Sequence, residues 1–215
     1  MNLKIKICGM KFPDNISETA AVQPDYLGFI FYEKSPRNFE NDIPNIPKSI
    51  QKVGVFVNAS LEETLKKVKQ YELDLVQLHG DESPKFCHSL QLKDIKVIKA
   101  FSIDNQFNFN ILKDYNNYCD YFLFDTKGTN HGGNGITFDW SILKNYTLDK
   151  PYFLSGGIGV ENSNEVKVFL TKDYSKHCIA IDCNSKLEVS PGIKSIEKTK
   201  QLINAFKKMN YENDL

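Results

Sequence analysis

Short apolar runs recur along the chain and form its most regular pattern. Most of them are nearly continuous rather than alternating, which is typical of strands buried on both faces of a parallel sheet. An antiparallel sandwich would alternate more clearly between apolar and polar positions. The pattern predicts eight strands: Leu3 to Cys8, Tyr26 to Phe31, Val53 to Val57, Leu73 to Leu78, Val97 to Phe101, Tyr121 to Phe124, Tyr152 to Leu154 and Cys178 to Ile181.

Helical patterns fill the gaps between these strands. Ser60 and Glu63 form a capping box ahead of apolar residues that share one helical face. Ser83, which precedes a proline, marks another helix start, and Ser195 to Met209 carries an apolar stripe at helical spacing. The second helix is only weakly marked, because Asn41 to Pro47 is rich in proline and asparagine.

The alternation of strand and helix predicts an α/β fold, either a closed (β/α)8 TIM barrel or an open doubly wound sheet. The strand count favours the barrel. No linker or low-complexity tract divides the 215 residues, so we expect a single barrel domain over residues 1–215. In both folds the functional residues follow the carboxyl ends of the strands.

Charge and composition narrow the choice of partners. Lysine plus arginine and aspartate plus glutamate both total 27, so no overall field favours nucleic acid or an anionic membrane. The N-terminus shows no charged leader with an apolar core, and no run reaches the ~18 apolar residues of a membrane helix. We therefore expect a cytoplasmic protein that binds a small molecule.

The cysteines and histidines give no metal-binding pattern. The five cysteines are odd in number, include no Cys-x-x-Cys pair and lie mostly in strand-like runs. The four histidines are scattered along the chain. We expect reduced thiols and no metal site.

Two strand ends carry candidate acid–base groups. Cys8 ends the first strand, where a lone cysteine is more often a small buried apolar residue than a functional thiol. Asp125 follows the sixth strand, where a carboxylate serves either as a loop anchor or as a general acid. Position alone leaves both roles open for both residues.

Other strand ends carry candidate binding groups. Gly156 and Gly157 follow the seventh strand, where backbone N–H groups bind phosphate in many barrels. The segment after the eighth strand is expected to supply the other half of the phosphate site through Asp182, Asn184 and Ser185.

Arg37 and His79 also lie just beyond predicted strands. Arg37 is the only arginine in the chain, and its planar fork suits a carboxylate, although most surface arginines have no such role. His79 is as consistent with a structural histidine as with a functional one.

An ordered set of motifs at these positions resembles the phosphoribosylanthranilate isomerase family from end to end. Any one motif arises easily by chance, but their order and strand-end positions together are specific. The motifs are Lys6-Ile7-Cys8-Gly9, Gly28-Phe29, Ser35-Pro36-Arg37, Val53-Gly54-Val55-Phe56, Val76-Gln77-Leu78-His79-Gly80, Phe124-Asp125-Thr126, Gly132-Gly133-Asn134-Gly135, Phe138-Asp139-Trp140 and Leu154-Ser155-Gly156-Gly157-Ile158.

The resemblance implies a ribulose-phosphate-binding barrel and an Amadori rearrangement of N-(5'-phosphoribosyl)anthranilate in tryptophan biosynthesis, without cofactor or metal. It implies that Asp125 protonates the ring oxygen and that Cys8 removes the C2 proton. It assigns the anthranilate carboxylate to Arg37, and the phosphate to the Gly156-Gly157 backbone and the loop after the eighth strand.

The chain departs from the family pattern after the eighth strand. Ser185-Lys186-Leu187-Glu188 stands where the family commonly has Ser-Gly-Val-Glu, so Lys186 replaces a glycine. The lysine either adds a charge near the phosphate or obstructs a backbone conformation that glycine permits. Asn134 and Ser195 are milder changes that remove no acid, base or carboxylate anchor.

Two other functions remain open from the sequence. One is a related phosphosugar barrel enzyme, such as indole-glycerol-phosphate synthase or the histidine-pathway isomerase. The other is a noncatalytic phosphosugar-binding module. A monomer and a homodimer are equally compatible with the sequence.

Overall fold

The computed structural model describes residues 3–126 and 140–212. Their central feature is a closed barrel of eight parallel strands in sequence order, in which β8 pairs with β1. The strands are β1 Lys4–Ile7, β2 Tyr26–Phe31, β3 Gln51–Phe56, β4 Leu75–Leu78, β5 Lys96–Ile103, β6 Tyr121–Thr126, β7 Tyr152–Ser155 and β8 Cys178–Cys183. The predicted barrel is confirmed, and the open doubly wound sheet is excluded.

The last strand extends further than its apolar run predicts. β8 continues through Asp182 to Cys183, so Asp182 lies within the barrel wall rather than in the loop beyond it. Its register partner on β1 is Lys6. The apolar run ends at Ile181 and therefore predicts too short a strand. The observed strand continues because the charge of Asp182 is paired with that of Lys6 on the neighbouring strand.

Six helices accompany the barrel, with bounds α1 Pro13–Ala21, α2 Leu61–Tyr71, α3 Pro84–Gln91, α4 Leu112–Tyr115, α5 Ser163–Leu170 and α6 Ile196–Glu212 in the described part of the chain. Both predicted caps are present. The Ser60 hydroxyl accepts a hydrogen bond from the Glu63 N–H at 3.1 Å, and the Ser83 hydroxyl accepts one from the Phe86 N–H at 3.3 Å. The predicted stripe from Ser195 to Met209 lies in α6.

The weakly marked second helix is replaced by a loop. Residues 32–50, all of which are described, contain no helix, since their prolines remove backbone donors and fix φ. The Phe39 N–H instead bonds to the Ile30 carbonyl at 2.8 Å, and the Phe39 ring is buried. A short hairpin that the sequence did not predict follows β8, formed by β9 Glu188–Ser190 and β10 Ile193–Lys194.

The core has two parts that follow the strand alternation. Residues such as Leu75, Leu123 and Phe153 point into the barrel and form an inner cluster. The alternate strand positions pack against the helices in a larger outer cluster. The inner cluster closes the barrel beneath its carboxyl end, and polar side chains gather above it. Within the described residues, no helix is both long and apolar enough to span a membrane.

Candidate active site

A cavity of about 330 Å³ opens at the carboxyl end of the barrel. It brings together the predicted site residues Cys8, which follows β1, His79, which follows β4, and Asp125 on β6. Its wall also includes the predicted phosphate-binding residues, namely Gly156, Gly157, Asp182, Asn184 and Ser185. Arg37 is the one predicted site residue that lies beside this wall rather than in it, among the residues described.

The Cys8 thiol stands directly after β1, is 5% exposed and faces the cavity. A methyl group at Gly28 would lie 2.8 Å from Cys8 Sγ and 3.2 Å from Lys6 Nζ, so the thiol and the ammonium share the space beside this glycine. Burial raises the pKa of the Cys8 thiol, and the neighbouring Lys6 ammonium acts in the opposite direction.

The sequence analysis missed Lys6. Its Nζ lies 2.9 Å from Asp182 Oδ1, and the two side chains are 0% and 6% exposed. Burial alone lowers the pKa of Lys6, but the attraction of Asp182 and Cys8 outweighs it and leaves that pKa above its ordinary value. The available signal was a lysine two residues before Cys8 on the same strand, because residues i and i+2 face the same side of a sheet.

Asp125 and His79 form the other side of the cavity. His79 Nε2 lies 3.5 Å from Asp125 Oδ2, and both side chains are about one-third exposed. The Gln77 amide nitrogen lies 2.9 Å from His79 Nδ1, and Gln77 is almost fully buried. When this amide donates, neutral His79 carries its proton on Nε2, the atom that faces Asp125.

A second buried ion pair fixes the backbone around His79. The ammonium of Lys99 on β5 bonds to Glu82 Oε2 at 3.1 Å, to the Leu78 carbonyl at 3.2 Å and to the Gly80 carbonyl at 2.6 Å. Glu82 in turn accepts the Gly80 N–H at 3.0 Å. The end of β4 is therefore held by charge-assisted bonds on both sides of the histidine.

The loop after β7 has the geometry expected of a phosphate cradle. Gly156 and Gly157 adopt φ values of 104° and 66°, which only glycine adopts readily. A Cβ at Gly157 would meet no atom within 4 Å, so the backbone there is open to a ligand. The Asn162 side chain accepts the Gly159 N–H at 2.9 Å and donates to the Gly157 carbonyl at 3.1 Å, which fixes the loop.

Lys186 lies over the same loop. A Cβ at Gly159 would come within 2.7 Å of Lys186 Cβ, and Lys186 lines the cavity beside Ser185. Its aliphatic stem therefore packs along the loop, and the side chain stays partly in solvent.

Arg37 is held by Glu188 at the start of β9. Arg37 Nε and Nη2 donate to the two Glu188 carboxylate oxygens at 2.8 and 2.6 Å, and Lys194 Nζ lies 2.7 Å from Glu188 Oε1. Burial alone would raise the pKa of Glu188, but the hydrogen bonds from Arg37 and Lys194 lower it to about 2. Among the described residues the guanidinium donates through Nε and Nη2, which leaves its Nη1 edge for a ligand carboxylate.

Two predicted motifs, Gly132-Gly133-Asn134-Gly135 and Phe138-Asp139, lie outside the described residues. Within residues 3–126 and 140–212, no three His, Cys, Asp or Glu side chains are grouped so as to hold a metal ion.

Comparison with known proteins points to one family. The family model for N-(5'-phosphoribosyl)anthranilate isomerase matches residues 5–205. An N-(5'-phosphoribosyl)anthranilate isomerase from Parabacteroides distasonis is 44% identical over 206 residues, which cover 93% of this chain and 91% of the relative.

Solved structures agree with this match. The crystal structure of phosphoribosyl anthranilate isomerase from Thermotoga maritima is 31% identical, with a TM-score of 0.79 over 96% of this chain and 99% of that one. A phosphoribosyl anthranilate isomerase solved in complex with reduced 1-(o-carboxyphenylamino)-1-deoxyribulose 5-phosphate is 28% identical, with a TM-score of 0.76 and the same coverage. The chain belongs to the N-(5'-phosphoribosyl)anthranilate isomerase family.

Proposed function

We propose that this chain converts N-(5'-phosphoribosyl)anthranilate to 1-(2-carboxyphenylamino)-1-deoxyribulose 5-phosphate, an aldose–ketose isomerisation in tryptophan biosynthesis. The observation that carries the proposal is the placement of a thiol and a carboxylate in one cavity, Cys8 after β1 and Asp125 at the end of β6. In a closed barrel of eight strands these positions lie on roughly opposite arcs. The two groups therefore approach a sugar held between them from different sides.

The reaction needs one acid and one base. Asp125 gives a proton to the ribose ring oxygen, the bond from that oxygen to C1 breaks, and the nitrogen lone pair forms a Schiff base. The Cys8 thiolate then takes the C2 proton, and the released electron pair forms the C1–C2 double bond of an enolamine. This tautomerises to the C2 ketone. C1 is reduced as C2 is oxidised, so the substrate supplies both electrons and no external redox partner is needed.

Binding at both ends of the substrate would hold the sugar between these groups. The Gly156-Gly157 backbone is suited to the phosphate, with Asn184 and Ser185 completing the cradle. The free Nη1 edge of Arg37 is suited to the anthranilate carboxylate, because Glu188 occupies the other edge and fixes the plane of the fork.

The carboxylate of Asp182 lines the cavity, so it is also placed to accept a hydrogen bond from a sugar hydroxyl. We further propose a cytoplasmic location and a single domain over residues 1–215. All five cysteines are free thiols, which fits a reducing compartment. The described segments on both sides of residues 127–139 complete one closed barrel, which supports a single domain.

The direct test generates phosphoribosylanthranilate in situ and follows the loss of its anthranilate-type fluorescence after the purified protein is added. Wild type should consume the substrate rapidly. Cys8→Ala and Asp125→Asn should each lower kcat by about a hundredfold or more, since each removes one proton-transfer group. No turnover in wild type, with retained binding of the phosphorylated substrate, would overturn catalysis in favour of a binding module. Unchanged turnover in either variant would overturn that residue's role.

A further inference from the structure

The Lys6–Asp182 ion pair lies next to the Cys8 thiol, beside the cavity that Cys8 and Asp182 both line. Lys6 and Cys8 are two residues apart on β1 and its extension, so both side chains point into the barrel. Asp182 is the register partner of Lys6 on β8, and the Nζ–Oδ1 distance is 2.9 Å. One ammonium thus pairs with a carboxylate and lies within about 6 Å of the thiol with which it shares the space beside Gly28.

The charges facing Cys8 come from several elements. Lys6 on β1 and Lys194 on β10 stabilise the thiolate, whereas Asp182 on β8 opposes it. Arg37, in the loop after β2, is also within electrostatic reach of the thiol, and Cys183 at the end of β8 is a further titratable neighbour. Of these cations, Lys6 is placed most directly to affect Cys8, because its Nζ and the thiol share the space beside Gly28.

Burial makes this arrangement consequential. It raises the pKa of Cys8, and it also raises the pKa of Asp182 against the effect of Lys6. An opposite charge in direct contact typically moves a pKa by about one to three pH units, and more strongly where water is excluded. Even with Lys6 in place, the pKa of Cys8 stays above its ordinary value. Without this cation the buried thiol would be still more fully protonated near neutral pH, and less thiolate would be present to take a carbon-bound proton.

We propose that Lys6 and Asp182 are positioning residues that set the fraction of Cys8 present as thiolate, Lys6 by stabilising the thiolate and Asp182 by fixing Lys6 and limiting its effect. This rests on the proposed role of Cys8 as the base. The two residues act on the thiol in opposite directions. Removing the cation weakens the thiolate, and removing the carboxylate charge strengthens it.

The test measures the thiol itself, apart from turnover. The rate of Cys8 alkylation by iodoacetamide is followed against pH, and peptide mass spectrometry locates the label. Of the five cysteines, all in the described part of the chain, only Cys8 lines the cavity. Cys8→Ser supplies the background from the remaining thiols.

Lys6→Met should move the midpoint of alkylation upward by about one to two pH units, and Asp182→Asn should move it downward by about one. The rise of kcat/KM with increasing pH should shift in the same direction as the alkylation midpoint in each variant. Lys6→Met leaves a buried carboxylate that can regain neutrality by binding a proton. The double variant Lys6→Met/Asp182→Asn removes both charges and serves where the single variant folds poorly. Its midpoint should also lie above that of wild type.

The matched control is Lys99→Met/Glu82→Gln, which removes a buried lysine–carboxylate pair at the end of β4, away from Cys8. Its alkylation midpoint should equal that of wild type. Midpoints in the Lys6 variants that match wild type, or a control that shifts as far, would overturn the proposal. If the midpoints move as expected but wild type and its Cys8→Ala variant turn over equally, the electrostatic role stands and the role of Cys8 as base fails.

Discussion

Replacing Glu188 with glutamine removes the carboxylate that Arg37 and Lys194 share while nearly keeping the side-chain shape. Glutamine offers one acceptor oxygen where the carboxylate offers two, so the pair of hydrogen bonds to Arg37 is lost. Two cations are also left without their common counter-charge. We expect the substrate KM to rise more than kcat falls, because the fork of Arg37 is no longer held in one plane.

Glu188→Gln should also lower the free energy of unfolding near neutral pH. The pKa of Glu188 falls from 4.5 to about 2 on folding, because the bonds from Arg37 and Lys194 outweigh burial. At ~1.4 kcal/mol per pH unit, this corresponds to about 3 kcal/mol near neutral pH. A carboxylate whose pKa is lower in the folded state than in the unfolded state stabilises the fold fully at pH values above its unfolded-state pKa. This stabilisation is lost as the pH falls through the folded-state pKa. The contribution should therefore shrink to about 1 kcal/mol near pH 3.

Urea unfolding of wild type and Glu188→Gln, followed by circular dichroism at several pH values between about 7 and 3, measures this difference directly. The gap in unfolding free energy should narrow by about 2 kcal/mol as the pH falls. The control is Glu72→Gln, since Glu72 is 89% exposed and its Nζ–Oε2 contact with Lys52 is 3.5 Å. The difference in unfolding free energy between wild type and Glu72→Gln should not change with pH. A Glu188→Gln gap that stays constant with pH would refute the reasoning.

Three further outcomes follow from the site. In steady-state assays, Lys186→Met should raise the substrate KM about threefold to fivefold with kcat unchanged, because the variant loses a single partly exposed charge at the phosphate loop. The difference in KM should fade at high salt, which screens that charge. Gly28→Ala should lower kcat by about tenfold or more with intact far-UV circular dichroism, because the new methyl group displaces Cys8 Sγ, which would otherwise lie 2.8 Å away. Gln77→Leu should lower kcat in steady-state assays while a phosphorylated product analogue binds as before by calorimetry, because the bond that orients His79 toward Asp125 is lost; an unchanged kcat would show that His79 is oriented without it.

Local signals in the sequence were sufficient for much of the fold. The continuous apolar run Tyr26–Phe31 matches β2 at both ends, because all of its residues suit a strand buried on both faces and polar residues flank it. Ser60 and Ser83 cap the helices they were expected to cap, since an N-cap bond spans only three residues. Strand order around the barrel then placed Cys8 and Asp125 in one cavity.

The parts that escaped prediction depend on contacts between distant residues. Lys6 and Asp182 are 176 residues apart and meet only because β8 closes on β1 in one register. Arg37 and Glu188 are 151 residues apart, and no local pattern indicates that Glu188 already binds one edge of the Arg37 guanidinium. The hairpin of β9 and β10 was missed for the same reason. It is too short to have a period of its own, and Lys194 is held there by Glu188 and Asn184.

Two of the buried lysine–carboxylate pairs, Lys6–Asp182 and Lys99–Glu82, lie at the barrel wall on opposite faces of the sheet. Lys6 faces the barrel interior beside Cys8, whereas Lys99 alternates with Ile98 and Ala100 of the inner cluster and so points outward, beside the strand end that carries His79. A buried ion pair rarely stabilises a protein more than an apolar pair of equal size, because desolvation offsets the attraction. Their presence here is therefore better explained by what they hold in place than by stability. In the proposed mechanism, Lys6–Asp182 sets the charge of Cys8 from inside the barrel, and Lys99–Glu82 fixes the backbone around His79 from the outer face.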